Sequence, residues 1–478
     1  NSLLEKNLNK LNFKNFRKLY KNNKIILTFV AVVVLFVSYL LLPTFYKQDQ
    51  ISNALKSQLL DKFNLNFTFT KQLNYSFFPR PHFITSDSVI KDNNVLISEV
   101  KKTKIYVSLD NLFSFKNIEV KDLNLENPNF NFNRKNYNFF IKLLGNNFTD
   151  RSLKIKNGNI FFRDDENKVL FINQILNLKY YYDANELKNI IYAKNKIFNI
   201  PYSIETYLKN NGDSIFSKVN LNFLKLQVIN ELNMNKDIKE GNSDFIFNKI
   251  KSSATYKIKK NYFEYNIFDK LDIPKFDYKG EFNFKPFYSS LNGKVENIKI
   301  SYLFDTNSII AQLLKTEIFN NKNIDFRLNI NADKVFNNTN FKNIKLKSNI
   351  KEGLIDVDNT KFEWRNFVNF TLSETLIYVK EGELVLDGKL KLDIKNYNEI
   401  YKFLLTPKNY RNKIEKINLN FTYNFDRKIA NFKDIRIDDK INHNINKTLN
   451  NVILKKDKLQ NKIYFKNLFN EAIKNYAG

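Results

Sequence analysis

The sequence contains no cysteine and only two histidines, His82 and His443. Without cysteine the chain has no disulfide framework, no thiolate nucleophile, no cysteine-ligated zinc and no iron–sulfur cluster. Two histidines exclude a metal centre built from several imidazoles and leave few candidates for a His-based catalytic triad. Glycine (10) and proline (8) are scarce among 478 residues, which excludes collagen-like and glycine-rich fibrous chains. Because 43% of the residues are hydrophobic and 15% aromatic, disorder is excluded as the dominant state.

The usual sequence signatures of enzymes are missing as well. The chain has no GxGxxG, GxxxxGK[ST] or GxSxG segment. Acid pairs occur at residues 164–165 and 438–439, but adjacent residues on a strand point to opposite faces, so we interpret both pairs as turns. The two histidines lie in a loop-like and an Asn-rich stretch, without a nearby Ser or carboxylate pattern. We therefore predict that the protein is not an enzyme and needs no cofactor and no metal; a hydrolase is the least favoured alternative.

The chain carries a large excess of basic residues, 77 Lys and Arg against 49 Asp and Glu, for a net charge of +28. Such a charge is typical of proteins that bind a polyanion such as nucleic acid or acidic lipid. The frequent residues, however, are Asn, Lys, Ile and Phe, all of which have AT-rich codons. The basic residues are also spread along the whole chain. We therefore favour a codon-usage explanation and expect no nucleic-acid partner.

The longest apolar run lies near the N-terminus, at residues 25–42, and carries no charge. At 1.5 Å per residue, about 18–20 helical residues span the ~30 Å hydrocarbon core of a membrane. The side chains predicted to form this anchor are Ile25, Ile26, Leu27, Phe29, Val30, Val32, Val33, Val34, Leu35, Phe36, Val37, Leu40, Leu41 and Leu42. We find no second run of this length and predict a single-pass protein.

Basic residues precede the apolar run and indicate its orientation. Six lysines and Arg17 stand between residues 6 and 24, where no acidic residue occurs. By the positive-inside rule the N-terminus is then cytoplasmic, and the bulk of the chain lies on the far side. The alternative is a cleaved signal peptide, but the run is long and the bulky residues 42–46 contain no A-x-A-like cleavage site. The sequence begins with Asn1 rather than Met, which is consistent with a truncated N-terminus.

Beyond the anchor, apolar and polar residues alternate with period two, which is typical of half-buried β-strands. Helical patterns are few, at residues 50–62, 307–319, 397–405 and 465–476. The sequence therefore predicts a mainly β protein, in which antiparallel sheet has one polar and one apolar face. We expect about twenty strands of ~5–7 residues, which stacked at ~4.8 Å would give a sheet ~100 Å long. A transmembrane β-barrel shows the same alternation, but the helical anchor argues against it.

Several stretches resemble the AsmA family of bacterial envelope proteins, which is related to TamB and the chorein-type lipid carriers. The most specific is the turn Phe78, Pro79, Arg80 and Pro81 within FFPRPHFITSDSVIKDN, which is similar to the FPxP turn of the family. Residues 97–132, 153–165 and 307–357 are similar to further family segments, whereas residues 180–290 match only in general pattern. Glycines that are usual in the family are often Asn here.

The resemblance implies a fold and a place in the cell. We expect a single transmembrane helix followed by an elongated, curved antiparallel β-sheet groove with a few short helices. The implied location is the bacterial inner membrane, with the bulk of the chain in the periplasm. The expected regions are a cytoplasmic basic tail (1–24), a transmembrane anchor (25–46), an AsmA-like N-terminal β region (47–180), a middle β region (181–300) and an AsmA-like C-terminal β region with short helices (301–478).

The resemblance also implies a function, namely binding of phospholipid acyl chains on an apolar groove face in support of lipid transport and outer-membrane homeostasis. The alternative is an assembly factor or scaffold for outer-membrane protein biogenesis, and the expected partners are membrane lipids and envelope proteins. Alternation alone does not distinguish an open groove from two sheets closed on each other. The candidate groove residues are Leu65, Phe67, Phe69, Ile105, Val107, Leu109, Phe326, Leu328, Ile330, Leu419, Phe421 and Tyr423.

Overall fold

The computed structural model of the chain describes most residues beyond the N-terminal basic segment. The described residues are 24–209, 212–234, 239–247, 250–259, 262–269, 276–284, 287–298, 309–336, 338–441, 443–449, 454–455 and 462–477. The predicted basic tail (1–24) therefore lies, apart from Lys24, outside the described residues.

The described chain is mainly β, with one long apolar helix near the N-terminus and few others, which confirms the predicted fold class. The helices are α1 (Lys24–Leu41), α2 (Gln48–Phe63), α3 (Tyr137–Leu144), α4 (Ile309–Leu314), α5 (Tyr397–Leu404), α6 (His443–Leu449) and α7 (Lys462–Ala477). Short 3₁₀ turns occur at Leu42–Phe45, Phe115–Asn117, Asn222–Leu224, Glu317–Asn320 and Lys408–Tyr410.

The described residues form 26 strands. They are β1 (Asn66–Thr68), β2 (Asn74–Ser76), β3 (His82–Asp92), β4 (Val95–Val107), β5 (Val120–Phe132), β6 (Ser152–Arg163), β7 (Val169–Asp183), β8 (Lys188–Ile197), β9 (Ile200–Lys209), β10 (Ser214–Leu221), β11 (Leu226–Asn233), β12 (Lys239–Phe247), β13 (Ile250–Ile258), β14 (Tyr262–Asp269), β15 (Phe276–Phe284), β16 (Phe287–Ile298), β17 (Asp325–Val335), β18 (Asn338–Lys351), β19 (Leu354–Asp356), β20 (Lys361–Trp364), β21 (Val368–Lys380), β22 (Glu383–Ile394), β23 (Lys416–Asn424), β24 (Ile429–Ile437), β25 (Lys440–Ile441) and β26 (Leu454–Lys455).

Most of these strands are longer than the sequence estimate of about 5–7 residues. The principal strands contain 8 to 15 residues, as in β10 and β7. The estimate was too short because turn-forming Asn residues stand inside strands as well as between them. Asn127 and Asn157, for example, have positive φ within β5 and β6, yet both strands continue.

The hairpin turns show how Asn and Asp replace glycine. Asn93 and Asn94 join β3 to β4 with φ of 45° and 65°. Asp438 and Asp439 join β24 to β25 with φ of 48° and 63°. Two consecutive positive φ values are the signature of the type I′ turns that suit the twist of a hairpin, and Asn and Asp tolerate this conformation best after glycine. The interpretation of residues 438–439 as a turn is therefore confirmed.

The chain divides into two compact units, with the boundary inside β7 and β8. Unit 1 contains the residues up to Asp165 together with Gln174–Ala193, and unit 2 contains Glu166–Asn173 and Lys194–Gly478. Each unit contains one parallel strand pair, β5–β6 in unit 1 and β16–β17 in unit 2, and the other pairings with a known register are antiparallel. Each parallel pair is joined by a crossover that carries a short helix, α3 or α4, as parallel pairing requires.

Helix α2 covers the apolar face of unit 1. Ile51, Leu55, Leu59 and Phe63 recur every four residues, so they form one stripe along the helix. All four are buried in a core with strand residues from β1 to β6. Gln58 fixes the helix further, since its side-chain amide donates to a backbone carbonyl and accepts from the N–H of Val120 at 2.8 Å.

Three of the four predicted helices form near the expected positions, as α2, α5 and α7. The predicted helix at 307–319 is shorter: α4 begins at Ile309 and ends at Leu314, and a separate 3₁₀ turn covers Glu317–Asn320. Residues 307–308 lie outside the described residues. Helices α3 and α6 had not been predicted, and they are only eight and seven residues long. The sequence had indicated a loop at His82, and this prediction was wrong. His82 is the first residue of strand β3, and its side chain is buried.

Candidate functional site

The strands β12 to β18 of unit 2 share one continuous apolar face. Pairing places Ser243 opposite Ala254, Ala254 opposite Ile267 and Ile267 opposite Tyr278. The same face continues through the parallel pair, where Leu291 stands beside Leu328. We call this surface the apolar face of unit 2; most of its described members are hydrophobic, glycine or serine residues, with charged residues such as Lys239 and Lys334 at strand ends.

The opposite face of the same strands is polar. It carries ion pairs between neighbouring strands, such as Lys251 with Asp244 at 2.9 Å and Lys257 with Glu240 at 3.0 Å. Lys259 and Glu264, joined at 2.7 Å, lie beside the β13–β14 hairpin. Because these lysines have acidic partners, this part of the sheet does not form a free basic stripe. The expectation that the protein has no nucleic-acid partner stays a prediction.

An apolar groove of about 600 Å³ lies on the apolar face of unit 2. The floor of the groove consists of residues from β12 to β17. Its wall is formed by the start of β7, the turn between β8 and β9, and the segment between α4 and β17. The floor residues are Ser243, Phe245, Ala254, Tyr256, Ile258, Phe263, Tyr265, Ile267, Phe282, Ser289 and Phe326; the wall residues include Leu170, Phe171, Phe198, Phe319 and Ile324. Most of the aromatic and aliphatic floor side chains are only half-buried, so apolar surface faces the open groove.

Two asparagines hold the wall in place. Asn321 and Asn323 each donate a side-chain N–H to the carbonyl oxygen of Leu170, at 2.9 and 3.1 Å. The backbone N–H of Asn323 also donates to the side chain of Asn321 at 2.9 Å. These bonds join segments about 150 positions apart in the chain and fix Leu170 and Phe171 beside the floor.

Tyrosines facing glycines give the floor its shape. Tyr256 stands opposite Gly241, and Tyr265 opposite Gly280. Tyr278 stands opposite Gly293 in the same way on the neighbouring pair. In each pair the ring lies where a Cβ on the glycine would be, so an alanine there would clash with it. The rings therefore lie along the sheet instead of standing upright, which leaves room above the floor.

The lining of the groove carries little charge. Burial raises the pKa of the phenols of Tyr256, Tyr265 and Tyr278 above the ordinary value, so these groups stay neutral at physiological pH. Tyr256 donates to Asn230 at 2.9 Å. Asp325 is the one charged residue among the described lining residues, and Arg327 lies 3.5 Å from its carboxylate. A neutral, aromatic floor attracts hydrocarbon and does not retain a free ion.

Within the described residues no group of three or more His, Asp or Glu side chains could hold a metal ion. The predictions that the protein is not an enzyme and needs no cofactor or metal remain expectations.

Of the predicted groove residues, Phe326 lines this groove. Leu328 and Ile330 lie on the same strand but pack against Val295 and Ile344. Leu419 and Tyr423 pack in the cluster formed with the C-terminal helices α5, α6 and α7, and Phe421 stands opposite Phe432 in β24.

The predicted groove residues of unit 1 have a different environment. Leu65, Phe67, Ile105 and Val107 are buried in the core under α2, and Phe69 packs against that core. Leu109 lies in the loop after β4 and is exposed. Within unit 1 the predicted groove residues therefore belong to a closed core, apart from Leu109.

Most of the floor, including Tyr256, Phe263, Tyr265 and Ile267, was not predicted from the sequence. The signal was present, because ATYKI and YFEYNIF alternate as regularly as the segments chosen.

The FPRP turn lies in unit 1. Pro81 and His82 lead into β3; the Arg80 guanidinium contacts the carboxylate of Asp122 and lies 4.3 Å from the ring centre of Tyr106. The His82 ring stacks on the same Tyr106 at 5.0 Å. The turn is thus held to the ends of β4 and β5.

Helix α1 and the 3₁₀ turn after it form a segment of 22 residues, Lys24–Phe45, long and apolar enough to cross a membrane. Most of the predicted anchor side chains on it are exposed. This segment is a candidate single-pass anchor, as the sequence predicts.

A family model described as the AsmA family matches residues 20–289, which is more than half of the chain. The match covers α1, unit 1 and the strands that form most of the groove floor. A search of curated proteins finds no match to this chain.

Proposed function

The chain belongs to the AsmA family, and on that basis we propose that it is a non-enzymatic, membrane-anchored envelope protein that binds phospholipid acyl chains in the apolar groove of unit 2. The groove is the observation that carries this proposal. Its volume of about 600 Å³ lies within the ~300–1,000 Å³ typical of small-molecule sites. Each methylene group that it removes from water contributes about 0.8 kcal/mol.

The dimensions of the floor fit an acyl chain. Six neighbouring strands, β12 to β17, contribute to it, and strands are spaced ~4.8 Å apart, so the floor extends over ~24 Å. The acyl chains of one leaflet span about half of the ~30 Å hydrocarbon core of a bilayer. The floor is therefore long enough for one extended chain, whose head group would stay in water at the open side.

The proposed location follows from the anchor and its basic flank. In this proposal α1 spans the bacterial inner membrane, the N-terminus is cytoplasmic and both units lie in the periplasm. Lipid bound there would serve transport between the membranes and the homeostasis of the outer membrane.

Lipid retention by the full-length chain tests the proposal. The protein is purified in a lipid-free detergent, and co-purified phospholipid is quantified by mass spectrometry for Ile267→Asp and for Thr255→Asp. Ile267 is on the groove floor, whereas Thr255 is exposed on the polar face of the neighbouring strand. Lipid around α1 is common to both variants, so it cancels in the comparison.

We expect Ile267→Asp to lose phospholipid that Thr255→Asp and the wild type retain, because a carboxylate on the floor must be desolvated beside hydrocarbon. Equal phospholipid in both folded variants would contradict binding on this face. Co-purification of unfolded outer-membrane proteins in place of phospholipid would instead favour the assembly-factor alternative.

A further inference from the structure

The loop between β4 and β5 is fastened to the last turns of α1. The hydroxyl of Tyr39 donates to the carbonyl oxygen of Leu109 at 2.7 Å and accepts from the N–H of Leu112 at 3.1 Å. The Tyr39 ring packs against Phe113, with ring centres 4.8 Å apart. Just after the helix, the hydroxyl of Tyr46 donates to the carbonyl oxygen of Leu112. The loop is therefore fixed at the level where α1 ends.

Strand β2 and the FPRP turn lie at the same end of the sheet. The hydroxyl of Tyr75 donates to the carbonyl oxygen of Leu40 at 2.8 Å. The N–H of Val107 donates to the carbonyl oxygen of Pro81 at 3.1 Å, which joins the turn to the end of β4. Burial raises the pKa of Tyr75 to about 12, with the neighbouring tyrosines Tyr46 and Tyr39 adding to the shift. The hydroxyl thus stays a neutral donor to the helix.

Large apolar side chains are exposed at this end of unit 1. Phe113 is 78% exposed and Leu109 49%, although both belong to a loop held by three hydrogen bonds. Phe45 at the end of the membrane segment and Phe78 in the FPRP turn are 83% and 78% exposed. The exposed basic residues Lys47 and Lys116 flank them. Aromatic side chains beside basic ones are typical of the interface between lipid head groups and hydrocarbon.

We propose that the Leu109–Phe113 loop, together with Phe45 and Phe78, inserts into the lipid interface around α1 and fixes unit 1 directly on the membrane surface. The occupant is the bilayer that α1 spans, because Tyr39 and Tyr46 hold the loop against the end of that helix. Bilayer insertion removes the apolar side chains from water. The proposal rests on the membrane anchor of the proposed function and is independent of acyl-chain binding in unit 2.

Depth-dependent tryptophan quenching in reconstituted full-length protein tests this docking. The native Trp364 is first replaced by Phe, and Trp is then introduced by Phe113→Trp or by Val95→Trp. Val95 is a matched control, since it is also exposed and starts the same strand β4 at its other end. At ~3.3 Å per residue, the 13-residue strand separates the two ends by ~40 Å. Phe36→Trp within α1 reports whether the helix spans the bilayer.

Brominated phospholipids should quench most of the emission of the Phe113→Trp variant and shift it to the blue, while the Val95→Trp variant keeps its emission. Quenching of Phe36→Trp without quenching of Phe113→Trp would overturn the docking and leave the anchor intact. Absence of quenching in all three variants would overturn both the docking and the anchor. Equal quenching at residues 113 and 95 would show adsorption without the proposed orientation and would also overturn the docking.

Discussion

The apolar faces of units 1 and 2 arise from the same alternating pattern, but they are covered differently. In unit 1 the stripe of α2 closes over the sheet, and Leu55, Leu59 and Phe63 are fully buried. In unit 2, helix α4 packs on the cluster around Ile350 and Ile377, and the C-terminal helices pack on β23 and β24. No helix of these two groups packs on the groove floor in β12 to β16, where most of the described apolar side chains are half-buried. A period of two thus specifies an apolar face, and the helices that pack on the sheet determine which part of that face is covered.

The largest expected effect is a difference between matched aliphatic truncations in the two units. Leu59→Ala should leave a cavity in a closed core and cost about 3 kcal/mol, whereas Ile267→Ala on the open floor creates no enclosed cavity and should cost about 1 kcal/mol. Hydrogen–deuterium exchange measures the loss of protection in each unit separately. A loss in β13–β15 as large as that in β3–β5 would show that the floor is covered and would remove the contrast between the units.

The tyrosine–glycine pairs give a second, smaller effect that is specific to unit 2. Gly293→Ala should cost about 1–3 kcal/mol, because its methyl group would overlap the ring of Tyr278. In a Tyr278→Ala background the same substitution should cost much less. A double-mutant cycle measured by local exchange in β15 and β16 isolates this coupling; additive effects would mean that the ring does not occupy the space above the glycine.

The smallest effect is the contribution of one carboxyl group, Asp150, to the acid sensitivity of unit 1. Hydrogen bonds from Lys121 at 2.7 Å and Arg151 at 2.9 Å lower the pKa of Asp150 to about 2. A carboxyl group whose pKa is lowered by folding stabilises the protein above its unfolded pKa, ~3.9, and this contribution disappears as the pH falls toward 2. Asp150→Asn should therefore reduce the difference in exchange protection of β6 between neutral pH and pH ~3. An unchanged difference would assign the acid sensitivity to other carboxylates.

The sequence predicts the anchor and the mainly β fold because both depend on local patterns. A charge-free run marks the helix, and alternation marks the strands. It also predicts α2, where Ile51, Leu55 and Leu59 repeat every four residues. Strand ends were less predictable, since Asn residues accept a positive φ both in turns and at irregular positions inside strands.

The groove was not predictable at the level of residues. Phe67 in unit 1 and Phe263 in unit 2 stand in equally regular alternation, yet α2 covers the first and the second lines an open floor. What distinguishes them is whether a helix packs on the strand, and such a tertiary contact leaves no periodic signal in the strand itself. The roles of Gly241, Gly280 and Gly293 likewise depend on the strand pairing that places a tyrosine opposite each one.

Photo-crosslinking at two adjacent aromatic positions of β14 tests most directly the claim that the open apolar face of unit 2 binds acyl chains. Phe263 faces the groove, and Tyr262 next to it points to the polar face, where its hydroxyl lies 3.3 Å from the Lys259 amine. Each is replaced in turn by benzoylphenylalanine in the full-length chain, which is irradiated in cells and analysed for attached phospholipid by mass spectrometry. We expect phospholipid adducts at position 263 and none at position 262. Adducts at neither position, or equally at both, would contradict the account.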